Sequence, residues 1–107
     1  MDKVLYNTLL FDFYSGLLTK KQRDICRMYF CEDLSLAEIG EKLGISRQAV
    51  NFSIKNAKQN LTGYEEVLRL VEQHRLAQNH VVALEEALER QDFVESKKIL
   101  TELGNMV

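Results

Sequence analysis

The chain of 107 residues predicts an all-α fold, and three observations carry that prediction. It has no proline and only five glycines, so little in the composition interrupts a helical run. Serine, threonine or aspartate stands three residues before glutamine or glutamate at several points, the spacing of reciprocal helix caps. Between those points apolar residues recur every three or four positions. At this length one domain closes a single core without metal or disulfide staples.

The first helix spans roughly Val4 to Tyr14 or Ser15, with Leu5, Leu9, Phe13 and Leu17 on one stripe and Tyr6 and Leu10 beside it. Gly16 is expected to stop it in a left-handed conformation. Thr19-Lys-Lys-Gln22 is a capping box that opens the next helix, with Ile25, Met28 and Tyr29 inward, and Glu32-Asp33 breaks the pattern. A second box, Ser35-Leu-Ala-Glu38, opens the short helix Leu36 to Leu43. Ser46 caps the next helix, expected to close near Gly63. Thr62-Gly-Tyr-Glu65 is then expected to open a long helix to about Arg90, and Asp92-Phe-Val-Glu95 a final helix ending before Gly104. The division expected is residues 1–63 for the N-terminal helix and the middle helices, and 64–107 for the long C-terminal helix and the terminal one. The second part either joins the same compact domain or serves as a dimerisation arm.

The middle of the chain meets the demands of a helix-turn-helix. Two short helices crossing steeply need a small residue at the crossing, which Gly40 supplies, and a tight turn, which Gly44 supplies. Ile39 and Leu43 face inward, Ile45 plugs the core, and Val50, Ile54, Ala57 and Leu61 continue the inward stripe. The other face of the second helix carries Arg47, Gln48, Asn51, Lys55 and Lys58. Residues 46–61 hold three basic side chains and no acid. Arg, Gln and Asn can pair bidentately with purine edges, and Lys suits phosphates. Lys20 and Lys21 stand in a first helical turn, where the dipole disfavours cations and a bound phosphate would relieve the conflict. A solvated basic face is the plainer alternative for these positions.

Charge is divided unevenly. Residues 1–61 hold nine Lys/Arg against seven Asp/Glu, a balance of +2, and residues 62–107 hold five against nine, a balance of −4. The front half is the one suited to a polyanion. About three to five phosphate contacts would give a log–log salt slope near −3 to −4, a modest grip that calls for a dimer or a second partner.

Several function classes find no support. Cys26 and Cys31 are five apart with no second pair, and His74 and His80 are not at i, i+4 spacing, so no metal site is expected. There is no phosphate-cradling glycine loop, nucleophile elbow or HExxH, so neither catalytic residues nor a cofactor are expected, and the chain reads as no enzyme. Asp12 interrupts the apolar start, which is neither signal peptide nor membrane span. The expected location is the cytoplasm, with no membrane insertion.

Stretches of this sequence resemble known proteins. Leu18 to Val50, LTKKQRDICRMYFCEDLSLAEIGEKLGISRQAV, resembles region four of bacterial sigma factors, whose helix-turn-helix binds promoter DNA. A closer match is to the YlxM family, small bacterial helix-turn-helix proteins linked to the signal recognition particle pathway. It rests on LLFDFYSGLLTKKQ (Leu9–Gln22), DLSLAEIGEKLGISRQAV (Asp33–Val50), Ile54-Lys55 and YEEVLRL (Tyr64–Leu70), all within about the first seventy residues. The resemblance implies a sigma-region-four-like fold with an added N-terminal helix and a long C-terminal helix. It also implies a cytosolic accessory or regulator of protein targeting that binds the particle's RNA, its protein, or both. This chain departs from the family pattern at Asn51, where an aromatic is usual, at Asn56, where a basic residue is usual, and at Gly40, where alanine is usual.

Two further readings stay open. The chain is alternatively a dimeric, DNA-binding transcriptional regulator in which Arg47, Gln48 and Asn51 read bases, or a protein-docking module with no nucleic-acid role. From Val67 the positions 67, 70, 74, 77, 81, 84 and 88 form a heptad seam about three repeats long. Tyr64 to Val71 is expected to pack inward, and Val81, Leu84 and Leu88 to pair outward in a homodimer. Phe52, on the polar flank of the helix that Ser46 caps, is either covered by the long helix or an exposed partner contact.

Overall fold

The computed structural model describes residues 2–106, which form six α-helices and no strand: α1 (Lys3–Tyr14), α2 (Lys20–Phe30), α3 (Leu36–Leu43), α4 (Arg47–Leu68), α5 (Leu70–Glu89) and α6 (Phe93–Met106). They group into two compact units that divide after Arg69, later in the chain than the expected boundary at Gly63.

In the first unit α2, α3 and α4 close on Ile25, Ile39, Val50 and Ile54, with Met28, Tyr29, Phe30, Leu34, Leu36 and Ile45 packed around them. Capping follows the sequence: Thr19 and Gln22 form one reciprocal box and Ser35 and Glu38 another, with Oγ of Ser35 accepting from the Glu38 amide at 3.1 Å. Cys26 is fully buried, and desolvation pushes its thiol up to about 11, partly offset by the charge of Lys58. Both cysteines are free thiols.

Three details of the expected core are corrected. The inward face of α1 is Leu10, Phe11 and Tyr14, continued by Leu18, whereas Leu5, Phe13 and Leu17 are exposed. Both flanks of α1 are apolar, so spacing alone did not decide between them. Gly16 lies in a single 3-10 turn, Ser15–Leu17, with no positive φ; Gly44 is the glycine held left-handed, at φ 69°. Leu43, in the last turn of α3, is 40 % exposed rather than inward, and Ile45 takes the core position beside it.

The helix that begins at Arg47 does not close near Gly63. It runs to Leu68, and Thr62-Gly-Tyr-Glu65 is its interior rather than a new start. A mid-helix glycine costs about 0.5–1 kcal/mol against alanine, and tertiary contacts offset that cost. Tyr14 Oη donates to a Glu65 carboxylate oxygen at 2.6 Å in the buried layer, and Tyr64 Oη donates to the Leu17 carbonyl at 3.2 Å. The inward stripe therefore continues unbroken through Val50, Ile54, Ala57, Leu61 and Glu65. Val67, expected on the seam, is 80 % exposed as a result. Arg69 ends the helix in the left-handed region at φ 54°, which interrupts the heptad run between Val67 and Leu70.

The second unit is an antiparallel pair, α5 and α6. Gln91 adopts φ 57° at their junction, and the Asp92 amide reaches the Ala87 carbonyl at 2.9 Å while the Gln91 amide reaches Leu88 at 3.0 Å, a Schellman closure without glycine. Asp92 caps α6 by accepting from the Glu95 amide, as expected, and the helix continues past Gly104 to Met106. His80 of α5 faces Glu102 of α6 at 3.3 Å.

The crossing of α3 and α4 is tight at Gly40, where a side chain requires the backbone to shift. A Cβ there would stand 2.6 Å from the Ile45 carbonyl oxygen, a backbone atom that cannot move alone. Gly40→Ala gains helix propensity of about 0.8–1.0 kcal/mol, yet overpacking costs about 1–3 kcal/mol, so a net loss of stability is expected. Faster alkylation of the buried Cys26 thiol, which lies within this unit, would register it.

Candidate nucleic-acid interface

The candidate surface begins with a turn that only a few residues allow. Gly44 carries the chain out of α3, and the Ile45 amide returns to the Gly40 carbonyl at 3.0 Å. Ile45 is thereby seated on the core, and Ser46 is left extended at φ −70°, ψ 156° to start α4. Its Oγ accepts from the Ala49 amide at 3.0 Å. The buried stripe fixes which side of α4 remains open, and the first two turns of that side are what a helix-turn-helix offers to a groove.

Arg47, Gln48 and Lys55 are exposed on that side, and Asn51 is half-buried among them. Among the described residues, no ion pair occupies Arg47 or Lys55. Phe52 is 68 % exposed on the same helix, so an aromatic accompanies the basic face. The cluster beneath the ridge, Ile25, Ile39, Val50 and Ile54, is apolar, and residues 46–61 hold no acid to offset the ridge locally.

The remaining candidates fall elsewhere. Lys58 is half-buried, with its ammonium 5.9 Å from the Tyr29 ring centroid and 5.8 Å from that of Phe30. Lys20 already has a counterion, since its Nζ donates to Asp24 at 2.9 Å, and Arg27 approaches the same carboxylate at 3.4 Å. That hydrogen bond from Lys20, with the charges of Lys20, Arg27 and Arg23, holds the Asp24 carboxyl below its usual range. The unfavourable placement of Lys20 at a helix start is thus compensated inside the chain, while Lys21 stays exposed. On α5, Val81 and Leu88 are exposed and Leu84 is half-buried.

Sequence reasoning missed the aromatic wall made by Tyr29 and Phe30, whose rings meet edge-on at 5.3 Å. The adjacent Tyr-Phe at the end of α2 was the available signal, but it reads equally well as ordinary core. The Tyr14–Glu65 bond is hidden for a different reason: Glu65 sits at the spacing of a cap residue, and its partner lies 51 positions away.

No helix of the described residues is long and apolar enough to cross a membrane. Comparison with known proteins agrees with the helix-turn-helix geometry. Residues 1–101 match the family described as "Putative helix-turn-helix protein, YlxM / p13 like". A UPF0122 protein of Thermoanaerobacter sp. (strain X514) is 41% identical over 110 residues, covering 99% of this chain and 94% of the relative. One from Symbiobacterium thermophilum is 42% identical over 95 residues, covering 89% of each chain, and one from Bacillus cereus (strain AH187) is 39% identical over 94 residues, covering 88% and 86%. The chain belongs to the UPF0122 family of YlxM/p13-like helix-turn-helix proteins.

Proposed function

We propose that this protein is a cytoplasmic accessory or regulator of the signal recognition particle, gripping the particle's RNA through the open face of α4 and docking on its protein component. The observation that carries the polyanion part is the ridge of Arg47, Gln48, Asn51 and Lys55, which faces outward without an acid among residues 46–61. The identity of the partner rests on the YlxM resemblance. A homodimer through Val81, Leu84 and Leu88 of α5 would double the contact and raise a weak single-copy grip by effective concentration.

A second reading, a sequence-specific DNA regulator, draws on the bidentate capacity of Arg47, Gln48 and Asn51 at the start of a helix-turn-helix. Affinity purification of the tagged protein from bacterial lysate, with and without ribonuclease or deoxyribonuclease, separates the two. The first reading expects the particle's RNA and protein to copurify and the RNA-dependent fraction to vanish with ribonuclease. Recovery of duplex DNA enriched in a paired half-site motif would favour the second, and recovery of neither would defeat both.

A further inference from the structure

Away from the basic ridge, the first unit contains a cleft of about 430 Å³ between α1, the end of α2, the start of α3 and α4. That size falls within the range of about 300–1,000 Å³ typical of small-molecule sites. Its wall is the edge-on pair Tyr29 and Phe30. Four charged side chains line it, two of each sign: Lys3 and Lys58, Asp33 and Glu38.

Among the described residues none of these four forms an ion pair. The Lys58 ammonium lies near two aromatic rings, which attract a cation but leave its hydrogen-bond donors to be satisfied. Glu38 uses one carboxylate oxygen, Oε1, to accept the Ser35 amide at 3.1 Å. Asp33 stands in the left-handed region at φ 58°, in the loop that leads to Ser35. A simple anion entering the cleft would meet two carboxylates, and a simple cation two ammonium groups. Either would gain from one pair of charges and lose to the other.

We propose that the cleft binds a small zwitterion with an apolar side chain, an α-amino acid of aromatic or branched type. Its carboxylate pairs with Lys58 and Lys3, its ammonium with Asp33 and Glu38, and its side chain lies on Tyr29 and Phe30. Lys58 belongs to the same helix as Arg47 and Lys55, where it is half-buried and they are exposed.

The test is a titration of the ¹⁵N-labelled full chain with L-phenylalanine, followed by amide shifts. Saturable shifts are expected at Tyr29, Phe30 and Leu34. Phenylpropionate, lacking the ammonium, and phenethylamine and phenylalaninamide, lacking the carboxylate, should each bind about tenfold or more weakly, since each leaves charged partners unmatched. Glycine, which keeps both charges but has no side chain to lie on Tyr29 and Phe30, should bind more weakly than phenylalanine. In Lys58→Gln the advantage of phenylalanine over phenethylamine should shrink, and in Asp33→Asn its advantage over phenylpropionate should shrink. Shifts that do not saturate, or equal binding of the one-charge analogues to the unaltered protein, would overturn the assignment.

Discussion

Ile39→Ala is expected to destabilise the first unit by about 2–5 kcal/mol, the usual range for a buried isoleucine truncated to alanine. Ile39 is wholly buried, packed with Ile25, Val50 and Ile54 where α2, α3 and α4 meet. Its loss opens a cavity at the crossing where Gly40 already brings the α3 and α4 backbones together, so collapse to refill the space is restricted. The chain divides into two compact units, and a whole-chain melting curve would mix them. Cys26 gives a local report. It is buried in α2, and its thiol is pushed up to about 11, so alkylation near pH 8 requires the unit to open. With Cys31 replaced by serine, the labelling rate of Cys26 should rise about tenfold for each 1.4 kcal/mol lost, hence roughly 30-fold to several thousand-fold, while reclosing remains faster than labelling. An increase below fivefold would mean that Ile39 does not hold the crossing.

What the sequence made legible was local chemistry. Ser35, Gly44 and Ser46 each solve a problem within a few residues, and all three occupy the expected roles. The inward stripe of α4 was legible because its opposite face is polar enough to give the periodicity contrast. Where contrast failed, so did the reading: α1 is apolar on both flanks, and the choice of Leu10 and Tyr14 over Leu5 and Phe13 is made by the partner helices. Gly63 shows the other limit. Thr62-Gly-Tyr-Glu65 satisfies the rule for a helix start, yet Tyr14 and Leu17 hold Glu65 and Tyr64 in register with the preceding turns. A local rule lost to contacts between residues far apart in the chain. At the candidate interface, exposure of Arg47, Gln48 and Lys55 followed directly from the buried stripe, whereas the aromatic setting of Lys58 depended on where the end of α2 lands.

Removing the two cations of the ridge should have the largest functional effect. Arg47→Ala with Lys55→Ala is expected to leave the fold intact, because both side chains are exposed and unpaired and such surface changes usually fall within about 0.5 kcal/mol. If each contacts one phosphate of a duplex, the slope of log K against log salt falls by about 0.9 per contact, or roughly 1.8 in all. Extrapolated from 1 M to 0.1 M salt, that is about a 60-fold loss of affinity, shrinking as salt rises. Fluorescence anisotropy with a labelled RNA hairpin and a labelled DNA duplex, across a salt series, measures slope and affinity together. Lys97→Ala with Lys98→Ala removes the same charge from α6, so it separates a contact at the ridge from a change in net charge. The α6 pair should leave the slope unchanged. Equal slopes for both pairs would reduce the ridge to diffuse attraction, and a slope unaltered by either would place any polyanion contact elsewhere on the protein. Loss of affinity on RNA alone favours the targeting role, because a base-reading regulator must lose its grip on the DNA duplex as well.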